Sequence, residues 1–535
     1  MITLDQDYYL SNFNRLVSHA TGWYSDLLTE ETTQWIQRYH QLNIEQQCLV
    51  VRLLMRKGCW FRSDKLNYAE IPNLQDSLMA LDKLGFITIN PKITSQELCR
   101  ALLTKPEIHK QFPQLQKSLK KDDLIEAVAS DDIVNPTHYP FNIIYLQHEP
   151  ILNEMCILFF GNSRQDFSQF VTEQLGIHLF ETYPFDSSHR FFSNRHEIED
   201  LLQLQTIANQ YWEMTDVTVD KLAEMLGSVP SPSQHLHIER KRQKLINTLA
   251  RDLERKNDDS LALSWYQKTQ QTPTRERQTR IHIRNNELEI AQRTVESMLI
   301  APLDVNEKEV AKRLATQIKR KLGVRVPNNK KPAQNACTIQ LDLSNNRVEF
   351  AVKAYFEHHG WSAYYLENHF LNGLFGLAFW DVIFAPIPNV FINAYQSRPL
   401  DLYHHDFAAK RKELIHNTLE HIQSEGIHHL KEVFSQKFGV ANPFVHWDLM
   451  NTEIIDLVIA SVDRDQLISL FKLMLTDLSA YRKGQPDLIA FKDNEWKWIE
   501  VKGPGDKLHD SQWRWLAHFE VLNIPYEVYY VNSVG

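Results

Sequence analysis

Two short, largely apolar runs, Leu488 to Phe491 and Trp496 to Val501, flank the turn triplet Lys492-Asp493-Asn494 and Glu495. Runs of this length around a turn triplet predict a two-stranded hairpin. Alternate residues on a strand face opposite ways. Ile499 and Val501 therefore share one face, and Trp498, Glu500 and Lys502 share the other. Gly503-Pro504-Gly505 ends the second strand. Asp510 or Ser511 then caps a segment whose Trp513, Leu516 and Ala517 form a helical stripe. Pro486-Asp487 opens the first strand, so the hairpin brings Asp487 close to Glu500, with Lys502 beside them. A surface strand with a Glu/Lys pair on its wet face shows the same alternation.

Adjacent carboxylates repel, and a hard divalent cation is their natural occupant. Mg²⁺ keeps several of its waters, so two acids and a backbone carbonyl suffice to hold it. Such an ion polarises a phosphodiester and lowers the pKa of bound water. A neighbouring lysine orients that water or holds charge on the phosphate.

Asp487 followed by Glu500-Val501-Lys502 resembles the PD-(D/E)XK nuclease signature. The stretch "GQPDLIAF…WKWIEVKGPGDKLHDSQ" is similar to its VRR-NUC branch, and Gln512 falls where that branch has a downstream Gln. Within the branch the chain resembles the bacterial Fanconi-associated nucleases. "DYYLSNFNRLV", "VVRLLMRKGCWFRSDKLNY", "LLTKPEI" and "FFGNSRQDFSQFV" extend the likeness through the opening and middle regions.

The resemblance implies a metal site of Glu367, Asp487, Glu500 and the Val501 carbonyl, holding Mg²⁺ or Mn²⁺. It implies Lys502 and Gln512 as catalytic partners; Arg482 and Lys483 sit beside the site in the chain and are candidates for phosphate contact. Glu367 is expected on the helix of "YYLENHFLNGLFGLAFWDVIF". Leu366 and Asn368 stand where the family carries glycines, and an acid favoured by a helix dipole would look alike. The implied activity is 5′-flap endonuclease and 5′-to-3′ exonuclease cleavage of DNA in crosslink repair. A Holliday-junction-type resolvase and a non-catalytic branched-DNA scaffold are the alternatives.

At 535 residues the chain has room for three or more domains. The expected architecture is multidomain. Mostly α N-terminal and middle regions precede an α/β PD-(D/E)XK nuclease domain over 339–535. Residues 1–90 read as winged-helix-like, with Arg52, Arg56, Lys57, Arg62 and Lys65 as cations for phosphates. Residues 91–135 carry "SLKKDDLIEAV", which resembles half of a SAP motif, with Lys117, Lys120 and Lys121 toward DNA. Residues 136–335 read as helical hairpins similar to tetratricopeptide pairs, with Trp265 and Tyr266 as core. "VRVPNNKKPAQNACT" reads as the linker that follows.

The formal net charge of -9 does not exclude nucleic acid, because binding depends on where the cations lie. Between His237 and Lys331, Lys and Arg outnumber Asp and Glu by 22 to 12. That block either contacts DNA or forms a solvated helix face. The five cysteines form no CxxC pair, so no zinc site or disulfide framework is expected. The start lacks the pattern of a signal peptide, and Leu374 to Ala385 is too short to span a bilayer. A cytoplasmic, nucleoid-associated enzyme is expected. His404-His405 and His428-His429 read as solvent-facing residues.

Overall fold

In the computed structural model, residues 7–128, 132–148, 150–162, 179–182, 190–327, 335–344 and 347–534 are described. Most of "FFGNSRQDFSQFV" and the centre of the linker lie outside them. The chain forms two compact units. One holds residues 1–177 with 192–206, and the other 178–191 with 207–535.

The first unit opens with helices Tyr8–Tyr24, Glu30–His40 and Ile44–Leu54. Asn43 caps the third helix in a reciprocal box with Gln46. Its small sheet has Ile143–Leu146 between Trp60–Arg62 and Ile87–Ile89, antiparallel to both. The central strand thus comes from well beyond residue 90. Leu98, Ile108 and Leu124 pack in a core shared with Ile143 of the central strand.

Two of the cations expected to face phosphates make ion pairs within the unit. Arg62 is buried and pairs with Asp64 at 2.8 Å and Glu107 at 2.7 Å. Arg52 pairs with Glu70 at 2.6 Å and lies over the Tyr9 ring. Asp64 lies two residues from Arg62, whereas Glu107 and Glu70 are brought to these guanidiniums by the fold.

The second unit contains helices Leu236–Arg255, Asp259–Tyr266, Thr274–Arg284, Leu288–Ile300 and Val305–Lys321. Tyr266 is fully buried, as expected. Trp265 is only half-buried, with Lys268 Nζ over its ring.

The nuclease region is a five-stranded sheet. Its elements are β1 (Ala336–Leu341), α1 (Val348–His358), β2 (Ser362–Tyr365), α2 (Phe370–Ala378), β3 (Leu488–Lys492), β4 (Glu495–Lys502), α3 (Asp510–Leu522) and β5 (Tyr526–Ser533). The strand order is β1-β5-β4-β3-β2. β5 runs parallel to β1 and β4, while β3 is antiparallel to β4 and β2. β1 begins inside the stretch read as linker, because Ala336 pairs with Val528. The β3–β4 turn puts Asp493 and Asn494 at φ of 50° and 67°. These are the positive angles that a tight hairpin demands and that Asp and Asn tolerate.

α1 covers one face of the sheet, with Val352 and Phe356 against Ile499, Val501 and Tyr529. α2 and α3 cover the other, where Phe370, Trp515 and Phe519 meet Trp498. Both faces of β4 are therefore buried. Among the described residues, no helix is long and apolar enough to cross a membrane.

Candidate active site

The register decides which side chains meet. Leu488 pairs with Ile499, so the next pair toward the sheet's end is Asp487 opposite Glu500. Both side chains fall on the α3 face, together with Ile489, Trp498 and Lys502. The wet-face alternative does not hold. Trp498 and Glu500 are each 1% exposed and Lys502 is 7% exposed.

Glu500 Oε1 accepts from Lys502 Nζ at 2.7 Å and from Gln512 Nε2 at 2.5 Å. Glu500 Oε2 is buried and has no hydrogen-bond partner. Gln512 reaches back from the first turn of α3. Its Oε1 accepts from the His509 N–H at 2.9 Å, so one amide both caps the helix and holds the carboxylate. The cap is thus His509 with Gln512, where Asp510 or Ser511 was expected. Asp487 Oδ2 accepts from the Val501 N–H at 2.8 Å.

Burial acts on both acids, and neighbouring carboxylates add to it. Burial pushes Asp487 up to about 6, against the Val501 N–H and the Lys502 charge. Burial pushes Glu500 up to about 8, reinforced by the charge of Asp487. An orphaned, buried carboxylate oxygen beside a second carboxylate fits a divalent cation, which supplies the positive charge both acids lack.

Glu367 is not on a helix. β2 continues past its last residue, as the Leu366 N–H donates to the Asp487 carbonyl at 3.1 Å. Asn368 then turns through φ of 54°, and α2 starts only at Phe370. Glu367 is exposed on this turn, where its oxygens accept from Tyr365 Oη and Asn368 Nδ2, each at 3.1 Å. Its charge adds to the upward push on both Asp487 and Glu500. Among the described residues, no three His, Cys, Asp or Glu side chains converge as a preformed metal cage. Asp487 and Glu500 are set, and Glu367 stands at the rim.

Sequence reading missed the supports of this turn. Gln485 N–H donates to Asn368 Oδ1 at 3.1 Å, and Gln485 Nε2 donates to Asn372 Oδ1 at 3.2 Å. Asn372 Nδ2 donates to the carbonyls of Asn368 and Arg482. It also missed Glu349 in the first turn of α1, whose charge pushes Asp487 upward. Nothing in the spacing of that amphipathic helix marks Glu349.

The cations chosen for DNA differ in their surroundings. Arg482 lies 4.5 Å from the Tyr403 ring, and Lys483 is exposed. Gly484 between Lys483 and Gln485 has φ of 78°, and a Cβ there would lie 2.6 Å from the Ser511 Cβ. This turn therefore packs directly on α3. In the first unit, Arg56, Lys57, Lys65, Lys117 and Lys120 are exposed, whereas Lys121 Nζ donates to the Arg100 carbonyl at 3.3 Å. Of the paired histidines, His405 and His428 are exposed. His404 and His429 are half-buried, and burial lowers both of their pKa values.

An α/β sheet with Asp487, Glu500 and Lys502 at the mouth of one hairpin accords with the VRR-NUC match at this end of the chain, which makes it a nuclease, a hydrolase acting on DNA. Nucleases of this type depend on a divalent metal. Residues 426–533 match the VRR-NUC domain, and residues 7–88 match the family described as FAN1, HTH domain. The chain is 30% identical to the Fanconi-associated nuclease 1 homolog of Pseudomonas aeruginosa, over 98% of this chain and 96% of that one. It is 24% identical to the homolog of Oryza sativa subsp. japonica, over 98% of this chain and 63% of that one. The crystal structure of paFAN1 bound to 2nt 5′ flap DNA with gap superposes with a TM-score of 0.90. It is 29% identical and covers 100% of both chains. The chain belongs to the Fanconi-associated nuclease 1 family.

Proposed function

We propose that the chain is a 5′-flap endonuclease and 5′-to-3′ exonuclease of DNA repair, including interstrand crosslink repair, with Mg²⁺ or Mn²⁺ as its ion. The observation that carries this reading is Glu500. It is buried opposite Asp487, with one oxygen held by Lys502 and Gln512 and the other without a donor.

Glu367, Asp487, Glu500 and the Val501 carbonyl would hold the ion. When bound, a divalent cation lowers the pKa of a water and offsets charge on the phosphate. Lys502 Nζ is already at the site, because its present acceptor is Glu500 Oε1 itself. An arriving phosphate oxygen or water competes for the same ammonium protons. Gln512 keeps Glu500 oriented when Lys502 turns to the substrate. Trp498 and Trp515 are buried in the layer beneath and keep bulk water away from that side.

Branched DNA fits the rest of the chain. The relatives' crystal structures hold 5′ flap DNA. Arg56, Lys57 and Lys120 are exposed on modules ahead of the nuclease. Phosphate contacts of that kind fix register and shape and carry no base information.

The test is cleavage of labelled 5′-flap, 3′-flap and four-way substrates with Mg²⁺ or Mn²⁺, repeated in EDTA and with Asp487→Ala. The flap should be cut, and both chelation and the substitution should abolish cutting while flap binding persists. Cutting confined to four-way junctions favours a resolvase. Binding without cutting under all conditions favours a scaffold.

A further inference from the structure

Arg482 and Arg398 each lie within cation–π range of the same tyrosine ring, on the segments that precede Asp487 and follow α2. Arg482 Cζ lies 4.5 Å from the Tyr403 ring centroid, and Arg398 Cζ lies 5.3 Å from it. The Tyr403 ring gives each guanidinium a cation–π contact. Among the described residues, neither guanidinium has an ion pair or a side-chain hydrogen bond, and Arg482 Nε is buried without a partner.

The nearby acids are already committed. Asp401 takes Arg411 in two bonds of 2.8 Å and 3.0 Å, and Asp406 takes Lys410 at 2.9 Å. Two like charges around one ring repel each other, and a single ring does not neutralise them. An anion shared between the two would.

The position is tied to the catalytic turn. Asn372 Nδ2 donates to the Arg482 carbonyl at 2.9 Å and also to the carbonyl of Asn368, the residue after Glu367. Arg482 is thus fixed to the turn that carries Glu367, on the segment leading into Asp487. Guanidinium is the side chain suited to bidentate phosphate binding, and stacking on an aromatic face orients its donors.

We propose that Arg398 and Arg482, organised by Tyr403, form a clamp for one internal phosphodiester of the DNA strand entering the active site. This rests on the reading of the chain as a flap nuclease and names the group that positions the strand.

The experiment uses the full chain in EDTA, so that binding is read without cleavage. Flap DNA affinity is measured across salt for the parent, Arg398→Ala and Arg398→Lys. Arg398 is exposed, so both variants should fold. Arg398→Ala should weaken binding about tenfold at low salt and lower the slope of log K against log salt by about 0.9. Arg398→Lys should keep the slope and lose part of the affinity, because charge is retained without the fork.

A scan of single uncharged methylphosphonates along the flap strand identifies the phosphate. One position should weaken the parent and have no further effect in Arg398→Ala. An unchanged salt slope in Arg398→Ala, or no such position, overturns the clamp. A loss seen only with a 5′-phosphorylated flap would assign a terminal phosphate and also overturn it. Because binding alone is read, a parent that binds flaps but does not cut them counts against the nuclease reading and leaves the clamp's result standing.

Discussion

Two carboxylates facing each other on one ladder pair resist ionisation together, and the cost shows in stability. Asp487 is raised to about 6 and Glu500 to about 8, above their unfolded values. The folded chain therefore holds protons that the unfolded chain has released. Stability is fully present below the unfolded carboxyl values and is lost as pH rises through about 6 and then about 8. Asp487→Asn removes one charge and keeps an oxygen for the Val501 N–H. In chelator at pH above both values it should gain about 1–3 kcal/mol relative to parent, with a smaller gain at acid pH. Thermal melting in EDTA at both pH values checks this, and a lower melting temperature at high pH would sink it. The same protons compete with a divalent ion. Mn²⁺ affinity, read by calorimetry, should rise between pH 6 and pH 8.5, by up to about tenfold per pH unit for each proton displaced. A flat profile would remove Asp487 and Glu500 from the ion's ligands. The identities of these residues were legible in the sequence because strand alternation and a turn triplet fix which faces they share. Their burial was not, since α3 and the helices beyond it cover a face that alternation alone could equally leave wet.

At the scale of elements, the turn between β2 and α2 shows where local pattern misleads. A run such as "YYLENHFLNGLFGLAFWDVIF" reads as one helix from its apolar content. The chain instead spends its first residues on β2, because Tyr364 and Tyr365 pair with Ile489 and Leu488. Asn368 takes a positive φ that asparagine tolerates better than most side chains. Asn372 and Gln485 then fasten this turn to the Asp487 segment through partners more than 100 residues apart. Such pairings leave no trace in spacing. Asn372→Leu keeps the volume and frees the carbonyls of Asn368 and Arg482. It should raise the Mn²⁺ concentration needed for half-maximal cleavage by about 10–100-fold, with helix content by circular dichroism unchanged. An unaltered Mn²⁺ midpoint would show that the network does not position Glu367.

At the scale of the molecule, charge counting and charge pairing part company. The excess of cations from His237 to Lys331 is real, yet many are spent within the helical array. Arg277 and Arg251 converge on buried Glu254, Arg275 takes Glu307 at 2.6 Å, and Arg284 takes Asp259. The array also holds the nuclease helix α3. Arg514 spans Glu309 with bonds of 2.7 Å and 2.9 Å, and its side chain is only 7% exposed. Gln512 lies two residues earlier on the same helix and grips Glu500. The docking of α3 against the array is therefore coupled to the orientation of the Glu500 carboxylate. Arg514→Ala leaves Glu309 unpaired and should cost about 2–3 kcal/mol, below a fully buried pair because Glu309 is partly wet. Glu309→Ala alone should cost less, since Arg514 keeps its stem packed and its bond to Asn306. If the pair acts as a unit, the double variant should lose less than the two single losses added together. Denaturation and cleavage rate should move in parallel across this cycle, because the element that melts is the one that carries Gln512. Strict additivity in both readouts would mean that α3 is held by its apolar face alone, and that the Gln512 amide is indifferent to the array behind it.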